Sequence, residues 1–373
     1  MRRRFGILGF IVIVQAVIFL SHLFLYETSV YQTPTFPAPH LRGAWAKLLF
    51  AALSISFISA SLLARRYTNP ALRAFYRVSA LWMGLLTFLL AAALLSWLVL
   101  AIATLAHAPL NFHHLVEWSF AAAFIVAFAG VINASLTRIT RTTIRLANLP
   151  DAWRGRKAAL ISDLHLGHVR NGNFLRRMVA KILEEGPDAI FIAGDLYDGT
   201  RIDAHKAAEP LSKLTAPHGV YFVAGNHEQF TDDTQYLHAI RAAGVRVLHN
   251  EKVDADGLQI VGVPHNHSTR RERLAAALEG VNLDRDRASV LLVHAPNHPE
   301  VAEAAGVSLQ LSGHTHLGQF IPWNWFARKI YRQFVYGLSR IGKMQVFTSS
   351  GAGTWGPPLR LGSNPEIVVL QFE

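Results

Sequence analysis

The sequence predicts an all-α transmembrane domain of four helices, followed by a layered α/β domain. Before residue 138 the chain contains four long apolar runs, and after it short strand-like and helix-like segments alternate with ordinary charge content. Strand–helix alternation is typical of layered α/β domains. At 373 residues the chain is long enough for both parts.

The four apolar runs lie at about residues 5–26, 44–64, 78–107 and 117–137. Each is long enough to cross a bilayer as a helix. A buried core helix is the alternative for any one run, but four in succession with almost no interior charge favour membrane helices. The first run could also be a signal peptide. Its length and the lack of a small-residue cleavage site favour a retained anchor.

The arginines near the predicted helices are distributed unevenly. One side of the membrane would carry the arginines at positions 2–4, 65, 66, 73, 77, 138, 141 and 145. The other side would carry only Arg42 and Lys47. By the positive-inside rule, this predicts a multi-pass protein of the cell inner (plasma) membrane with both termini in the cytoplasm. We predict a transmembrane domain at 1–137, a basic linker at 138–155 and a cytoplasmic α/β domain at 156–373.

Composition excludes some kinds of site. The chain has no cysteine, so any metal must be held by histidine, aspartate, asparagine or glutamate. The net charge of +11 favours anionic partners such as phosphate or acidic lipid headgroups. Nucleic acid is not expected as a partner, because much of the excess is arginine that flanks the membrane. Lys47, His22 and His107 lie close to predicted helix ends, which favours an anchor over a transport path.

Polar motifs follow the predicted strands of the second half. We predict these strands at 158–161, 189–192, 220–223, 258–263, 290–293 and 309–311, with helices at 174–185 and 236–243. Ligands of open α/β folds collect beyond the carboxyl ends of strands. The residues found there are Asp163 and His165, Asp195 and Asp198, Asn226 and His227, His294, and His314 and His316.

These side chains are nitrogen and oxygen ligands suited to manganese, iron, zinc or magnesium. Residues two apart in an extended segment point to the same side, so Asp163 and His165 can hold one ion. A single Asp-x-His fragment is more often a cap or a loop residue. Five fragments in this order, each after a strand, predict a binuclear metal site.

The order D-x-H, G-D-x-x-D, G-N-H-E, H and G-H-x-H resembles the calcineurin-like metallophosphoesterase superfamily, over about residues 156–373. The strings SDLHLG, GNHE and LSGHTHLGQ are most similar to its bacterial membrane-associated branch. That branch includes phosphodiesterases and relatives of the UDP-2,3-diacylglucosamine pyrophosphatases of lipid metabolism. The resemblance implies a four-layer metallophosphoesterase sandwich, in which two mixed β-sheets pack together and are flanked by helices.

The resemblance also implies roles for individual residues. One divalent metal ion would be held by Asp163, His165 and His316, and a second by Asn226, His294 and His314, with Asp195 bridging the two. His227 would contact the phosphoryl oxygen or protonate the leaving group, and the Asp198 carboxylate would orient it. Manganese is the expected metal, with iron, zinc or magnesium as alternatives. Gly199 replaces the arginine of protein serine/threonine phosphatases, which argues against that activity.

The expected function is hydrolysis of a phosphodiester or pyrophosphate bond through in-line attack by a metal-bridging hydroxide. The segment 320–334 suggests an amphiphilic or nucleotide-linked lipid substrate, because aromatic and basic residues alternate there. Phe326, Ile330 and Phe334 recur at helical spacing, either in the membrane headgroup region or as a cap on the core. The alternatives are a phosphodiesterase for soluble nucleotides that the helices merely localise, and a non-enzymatic membrane scaffold or sensor.

Residues Pro264-His265-Asn266-His267 add two histidines near the end of a predicted strand. They could be accessory metal ligands. Solvent-facing loop residues are the favoured interpretation.

Overall fold

The computed structural model describes residues 2–31, 44–230 and 233–373. The chain forms two compact units. The first comprises residues 1–131 with 356–359, and the second comprises residues 132–355 with 360–373.

The first unit consists of long helices, and four helices among the described residues are long and apolar enough to cross a membrane. Their bounds are α1 (Arg2–Val30), α2 (Ala44–Ala64), α3 (Pro70–Leu105) and α4 (Phe112–Asn133). Helix α3 begins at Pro70 rather than at residue 78. The side chain of Asn69 caps it by accepting a hydrogen bond from the Leu72 N–H, and proline suits the first turn. Helix α4 likewise begins earlier than predicted, at Phe112 rather than residue 117.

Polar contacts connect the helices of this unit. Trp82 Nε1 donates to Nε2 of His22 at 2.8 Å, and Trp97 Nε1 donates to Oγ1 of Thr28 at 2.9 Å, so α1 is held to α3. The buried His22 is therefore satisfied within the helix packing. The outward faces carry exposed apolar side chains such as Leu48 and Leu98, which lipid would cover.

The second unit contains two six-stranded mixed sheets. Sheet A has the order β1-β12-β2-β3-β4-β5, in which only the β12–β2 pair is antiparallel. Its strands are β1 (Arg138–Ile144), β2 (Lys157–Ile161), β3 (Ala189–Ile192), β4 (Val220–Phe222), β5 (Arg246–Val247) and β12 (Glu366–Phe372).

Sheet B has the order β10-β11-β9-β8-β7-β6, with antiparallel pairs only at its two edges. Its strands are β6 (Glu251–Ala255), β7 (Leu258–Gly262), β8 (Ser289–Leu292), β9 (Leu309–Ser312), β10 (Gly337–Ile341) and β11 (Met344–Thr348).

The two sheets pack face to face and helices cover their outer faces. Alternate strand residues such as Phe191 and Leu292 meet in the central core, since side chains of a strand alternate between faces. The opposite residues pack on helices α5 (Gly172–Glu184), α6 (Ala204–Ala208) and α7 (Thr234–Ala242) on sheet A, and on α9 (Arg271–Gly280) and α10 (Pro299–Ala304) on sheet B. This arrangement has four layers, and the predicted fold class is confirmed.

The predicted linker at 138–155 is wrong over its first half. Residues Arg138–Ile144 form the edge strand β1, which pairs in parallel with β12. Three threonines and two isoleucines in this segment favour a strand. The pairing partner begins at Glu366, so nothing local in the sequence reveals the ladder. Arg141, assigned to the linker, instead forms an ion pair with Glu185 at 2.7 Å.

Candidate metal centre

The polar motifs meet where strands of both sheets end. Asp163 and His165 follow β2, Asp195 follows β3, and His294 follows β8. The remaining candidates follow β4 and β9 and are Asn226, His227, His314 and His316. Parallel strands present their carboxyl ends at one edge of a sheet. The packed sheets therefore bring together residues that lie up to about 150 positions apart in the chain.

The first donor group is buried and consists of Asp163, His165 and His316. Nε2 of His165 lies 3.1 Å from Nε2 of His316 and 3.9 Å from Oδ1 of Asp163. Nε2 of His316 lies 3.4 Å from the same oxygen. Donors bound to one ion at 2.0–2.2 Å stand about 3–4 Å apart, so the spacing of these atoms suits a shared cation.

The second donor group contains Asp195, His294 and His314. Nε2 of His294 lies 3.0 Å from Oδ2 of Asp195 and 3.1 Å from Nδ1 of His314. The amide oxygen Oδ1 of Asn226 is 3.0 Å from the same nitrogen. Nε2 of His294 therefore has three neighbouring donor atoms, from a carboxylate, an imidazole and an amide, at the separation expected between ligands of one ion.

Asp195 lies between the two groups. Its Oδ2 is 3.0 Å from Nε2 of His294 in the second group and 3.9 Å from Nε2 of His165 in the first. Its Oδ1 accepts a hydrogen bond from the backbone N–H of His227 at 2.9 Å, which fixes the carboxylate. This placement suits a bridging role.

The backbone of the site adopts unusual conformations. Asp163, His165, Asp195, His314 and His316 all have positive φ, between 49° and 70°. Such values are uncommon for residues other than glycine and cluster at functional sites. The surrounding packing therefore directs these side chains inward at a local conformational cost.

Glycine allows close approach beside two of the carboxylates. A Cβ at Gly225 would lie 2.1 Å from Oδ1 of Asp195, and one at Gly313 would lie 2.4 Å from Oδ2 of Asp163. The two glycines therefore let loops of both sheets meet around the carboxylates.

Burial and charge set the protonation of the imidazoles. Burial, assisted by the charge of His294, lowers the pKa of His314 to about 3, and burial lowers those of His165 and His316 well below the usual range. Burial opposes both charged forms of the Asp195–His294 pair. Their mutual attraction nevertheless lowers the pKa of Asp195 and raises that of His294 to about 9.

The donor set fits divalent cations. Three imidazoles are held neutral, as metal ligands must be, and a carboxylate stands between the two groups. His294 Nδ1 donates to the carbonyl of Ala193 at 2.7 Å, so its Nε2 is the nitrogen directed at the centre. Ligating histidines typically make this kind of outer hydrogen bond.

His227 is close to the centre but is held differently. Its Nδ1 lies 2.9 Å from the backbone carbonyl oxygen of Asp198, and its Nε2 is 4.0 Å from Oδ2 of Asp195. We predicted that the carboxylate of Asp198 orients His227, but the atom that contacts the ring is the backbone carbonyl oxygen of Asp198. That carboxylate is buried beside Gly167 and instead accepts hydrogen bonds from the N–H and hydroxyl of Thr200. Burial raises its pKa to about 6.

Glu228 is a site residue whose role the sequence did not reveal. Its buried carboxylate accepts backbone hydrogen bonds from Asp195 at 2.9 Å, Tyr197 at 3.0 Å and Gly225 at 2.8 Å. It therefore joins the loops after β3 and β4. Burial and the charge of Asp195 raise its pKa to about 7. Its position next to His227 in the G-N-H-E motif is the sequence feature that could have indicated a role at the site.

Arg360 is a second residue near the site, and it lies outside every motif that the sequence analysis identified. Its fully buried guanidinium donates to the carbonyl oxygens of Ser350 at 2.8 Å and Gly353 at 2.7 Å, and it lies 3.2 Å from Nδ1 of His316. Burial lowers its pKa to about 10. These contacts connect the loop after β11 to the first donor group.

The interpretation of His265 as a solvent-facing loop residue is wrong. Residues His265–Ser268 form a short helix, α8, and the His265 ring lies 5.5 Å from the rings of both His294 and His314. The backbone N–H of His265 donates to the carbonyl of Ala224 at 3.0 Å, which draws it to the site. Burial lowers its pKa to about 3. It is not a member of the close donor groups found among the described residues.

Comparison with known proteins agrees with this geometry. The family model described as calcineurin-like phosphoesterase matches residues 156–318. An uncharacterized metallophosphoesterase of Campylobacter jejuni is 31% identical over 261 residues, which cover 68% of this chain and 70% of that protein. An uncharacterized metallophosphoesterase of Aquifex aeolicus is 32% identical over 67% of this chain and 98% of its own length.

A zebrafish relative described as a transmembrane protein with a metallophosphoesterase domain is 30% identical, and the match covers 65% of this chain and 59% of that protein. The fold, the donor groups and these matches together define a metal-dependent phosphoesterase. The chain belongs to the calcineurin-like phosphoesterase family. Its four apolar helices indicate a membrane protein.

Proposed function

We propose that this protein is a membrane-anchored phosphoesterase that uses two metal ions to hydrolyse a phosphodiester or pyrophosphate bond. The observation that carries this proposal is the position of Asp195 between two donor groups, beside His227. Asp163, His165 and His316 would hold one cation, and Asn226, His294 and His314 the other. When bound, such a pair supplies positive charge for the phosphoryl oxygens and lowers the pKa of water. Manganese is the metal we propose first.

His227 is the side chain placed to exchange a proton with the substrate. Its Nδ1 faces the Asp198 carbonyl, which can only accept a hydrogen bond, so Nδ1 carries a proton. Nε2 is then the nitrogen that faces the centre and can give or take a proton. Hydrolysis adds water across the P–O bond, and the departing oxygen needs a proton. Protonated Nε2 can supply it, or can donate a hydrogen bond to a phosphoryl oxygen.

The surroundings of His227 support a substrate with an apolar or aromatic portion. The ring of Phe230 lies 4.5 Å from the His227 ring and that of Trp355 lies 6.2 Å away. Both side chains are more than half exposed, at 54% and 60%. Exposed aromatic groups at the mouth of a site offer contacts to acyl chains or nucleobases. We therefore propose an amphiphilic or nucleotide-linked lipid substrate, as in the UDP-2,3-diacylglucosamine pyrophosphatase-like branch.

We expect the full chain in nanodiscs with manganese to cleave a nucleotide-linked lipid at least tenfold faster, in kcat/KM, than the same head without acyl chains. Trp355→Ala should reduce this preference about 3–10-fold, because one aromatic contact contributes about 0.5–1.5 kcal/mol. Product release measured by mass spectrometry provides both values. The exposed Leu183→Ala on α5 is the control and should retain the preference.

Two other outcomes would identify the alternatives. Equal rates on the two substrates would favour a phosphodiesterase for soluble nucleotides. If neither compound nor other phosphoesters were cleaved, although elemental analysis found two bound metals, the protein would be a non-enzymatic scaffold or sensor.

We further propose that the protein lies in the cell inner membrane with its catalytic unit in the cytoplasm. The arginine distribution supports this orientation. Because the chain has no native cysteine, a single Ser212→Cys variant offers one thiol, at an exposed position of the catalytic unit. A membrane-impermeant maleimide should label it only after the membrane is opened. Labelling of intact spheroplasts would contradict the orientation.

A further inference from the structure

Helix α11 (Trp323–Tyr331) packs on the loop that contains His316 through its small and polar residues. Asn324 and Ala327 are buried, and the ring of Tyr331 lies 6.1 Å from the ring of His314. A Cβ at Gly318 would lie 2.3 Å from Cα of Asn324, and Gly318 has a φ of +71°. Glycine there lets the helix start directly against the loop.

The outward side of α11 carries its large apolar residues. The exposed fractions are 50% for Trp323, 65% for Trp325, 56% for Phe326 and 71% for Ile330. A helix on a soluble surface usually shows the reverse pattern, with apolar residues inward. A cluster of this kind marks a surface that contacts another apolar phase or partner.

The exposed cluster differs from the one expected from sequence. Phe334 lies beyond the end of α11, in a 3-10 turn, and packs partly against the outer core of sheet B. The outward face is therefore built from Trp323, Phe326 and Ile330, at spacings of three and four, with Trp325 beside them. The buried face of the same helix acts as a cap on the catalytic unit.

Basic residues border the apolar cluster. Arg328, Lys329 and Arg332 are exposed, and residues 320–341 contain no aspartate or glutamate. Within the part of the chain that the structure describes, no ion pair to these three residues is found. Exposed tryptophan with flanking arginine and lysine matches the chemistry of a bilayer interface, where rings enter the headgroup layer and cations meet lipid phosphates.

We propose that α11 binds the surface of a bilayer that contains anionic lipids, through Trp323, Trp325, Phe326 and Ile330, with Arg328 and Lys329 at the headgroups. A bilayer is the favoured occupant because the same chain contains four helices of membrane-spanning length. Since α11 packs on the His316 loop, this contact presents the metal centre to substrates in the lipid surface. The proposal adds a substrate-delivery surface to the proposed hydrolase.

The test uses the full chain in vesicles of phosphatidylcholine and phosphatidylglycerol. Trp325→Cys provides the single thiol of the chain, which is labelled with an environment-sensitive fluorophore. Lipids with a doxyl group near the headgroup should quench this probe at least threefold more than a probe at Ser212→Cys, and aqueous iodide should do the opposite. Lys329→Glu, added to the Trp325→Cys protein, should weaken lipid quenching in anionic vesicles but not in neutral ones.

Three results would overturn the proposal. The first is equal lipid quenching at positions 325 and 212. The second is protection of the 325 probe from both quenchers, which indicates a protein partner or a second copy. The third is lipid quenching that does not change with Lys329→Glu or with vesicle charge. None of these readouts depends on turnover, so a failure here is distinguishable from failure of the proposed hydrolase.

Discussion

Asp195→Asn is expected to lower metal affinity by about 10–100-fold or more and to reduce turnover by at least two orders of magnitude. The reason is that Oδ2 of Asp195 lies 3.0 Å from His294 Nε2 and 3.9 Å from His165 Nε2, so the carboxylate lies within reach of both donor groups. Asparagine keeps the shape but removes the negative charge that two cations require. Equilibrium dialysis followed by elemental analysis measures the metal content, and turnover is measured on the same samples.

Loss of fold must be separated from loss of metal in this variant. Asparagine retains an oxygen that can accept the hydrogen bond from the His227 N–H but loses the charge that pairs with His294 in the metal-free protein. The metal-free variant should therefore keep the circular dichroism spectrum of metal-free wild type and still unfold cooperatively, at a lower temperature. Asp151→Asn is the matched control, because the Asp151 carboxylate is almost fully exposed and pairs with Arg154 at the surface. An Asp195→Asn protein with two tightly bound metals would contradict the bridging role.

His227→Ala is expected to keep both metals and to lose about 10²–10⁴-fold in kcat, the usual contribution of a general acid. His227 Nε2 stands 4.0 Å from Oδ2 of Asp195, and the ring is fixed through Nδ1 by the carbonyl of Asp198. A leaving group with a low pKa needs less protonation. The loss should therefore shrink on an activated aryl phosphodiester, a dependence that a merely structural role would not produce.

The metal content of the His227→Ala protein decides between two roles. His227 also falls within reach of a donor group with His165 and Asp195. If the variant loses one metal together with its activity, His227 is a ligand and not the proton donor. His205→Ala removes an exposed histidine of α6 and should change neither quantity. Full turnover by His227→Ala would remove both roles.

Much of the site was predictable because its chemistry is local to short motifs. Strand-forming residues before Asp163, Asp195 and His294 place these side chains at strand ends, and the structure brings them together. The six predicted strands lie within two residues of observed ones, because their apolar runs end at glycine or at polar residues. The roles of the individual ligands, and the membrane topology, remain predictions.

Other features depended on contacts between distant segments. The partner of β1 is the last strand of the chain, and Arg360 reaches His316 from a loop that has no motif. The predicted contact of His227 was the carboxylate of Asp198, whereas in the structure Nδ1 of His227 faces the backbone carbonyl oxygen of that residue. Every residue has a backbone carbonyl, so the sequence could not show whether the carbonyl or the carboxylate of Asp198 contacts His227.

The sequence by itself determined the four apolar helices, the order of strands with polar ends and the ligand types, because hydropathy, periodicity and donor chemistry belong to each segment alone. Only the tertiary structure decided that His265 turns toward the centre, that Glu228 joins two ligand loops, and that α11 exposes its apolar residues. The direction of a side chain depends on what packs against the other side of its element. That neighbour comes from elsewhere in the chain.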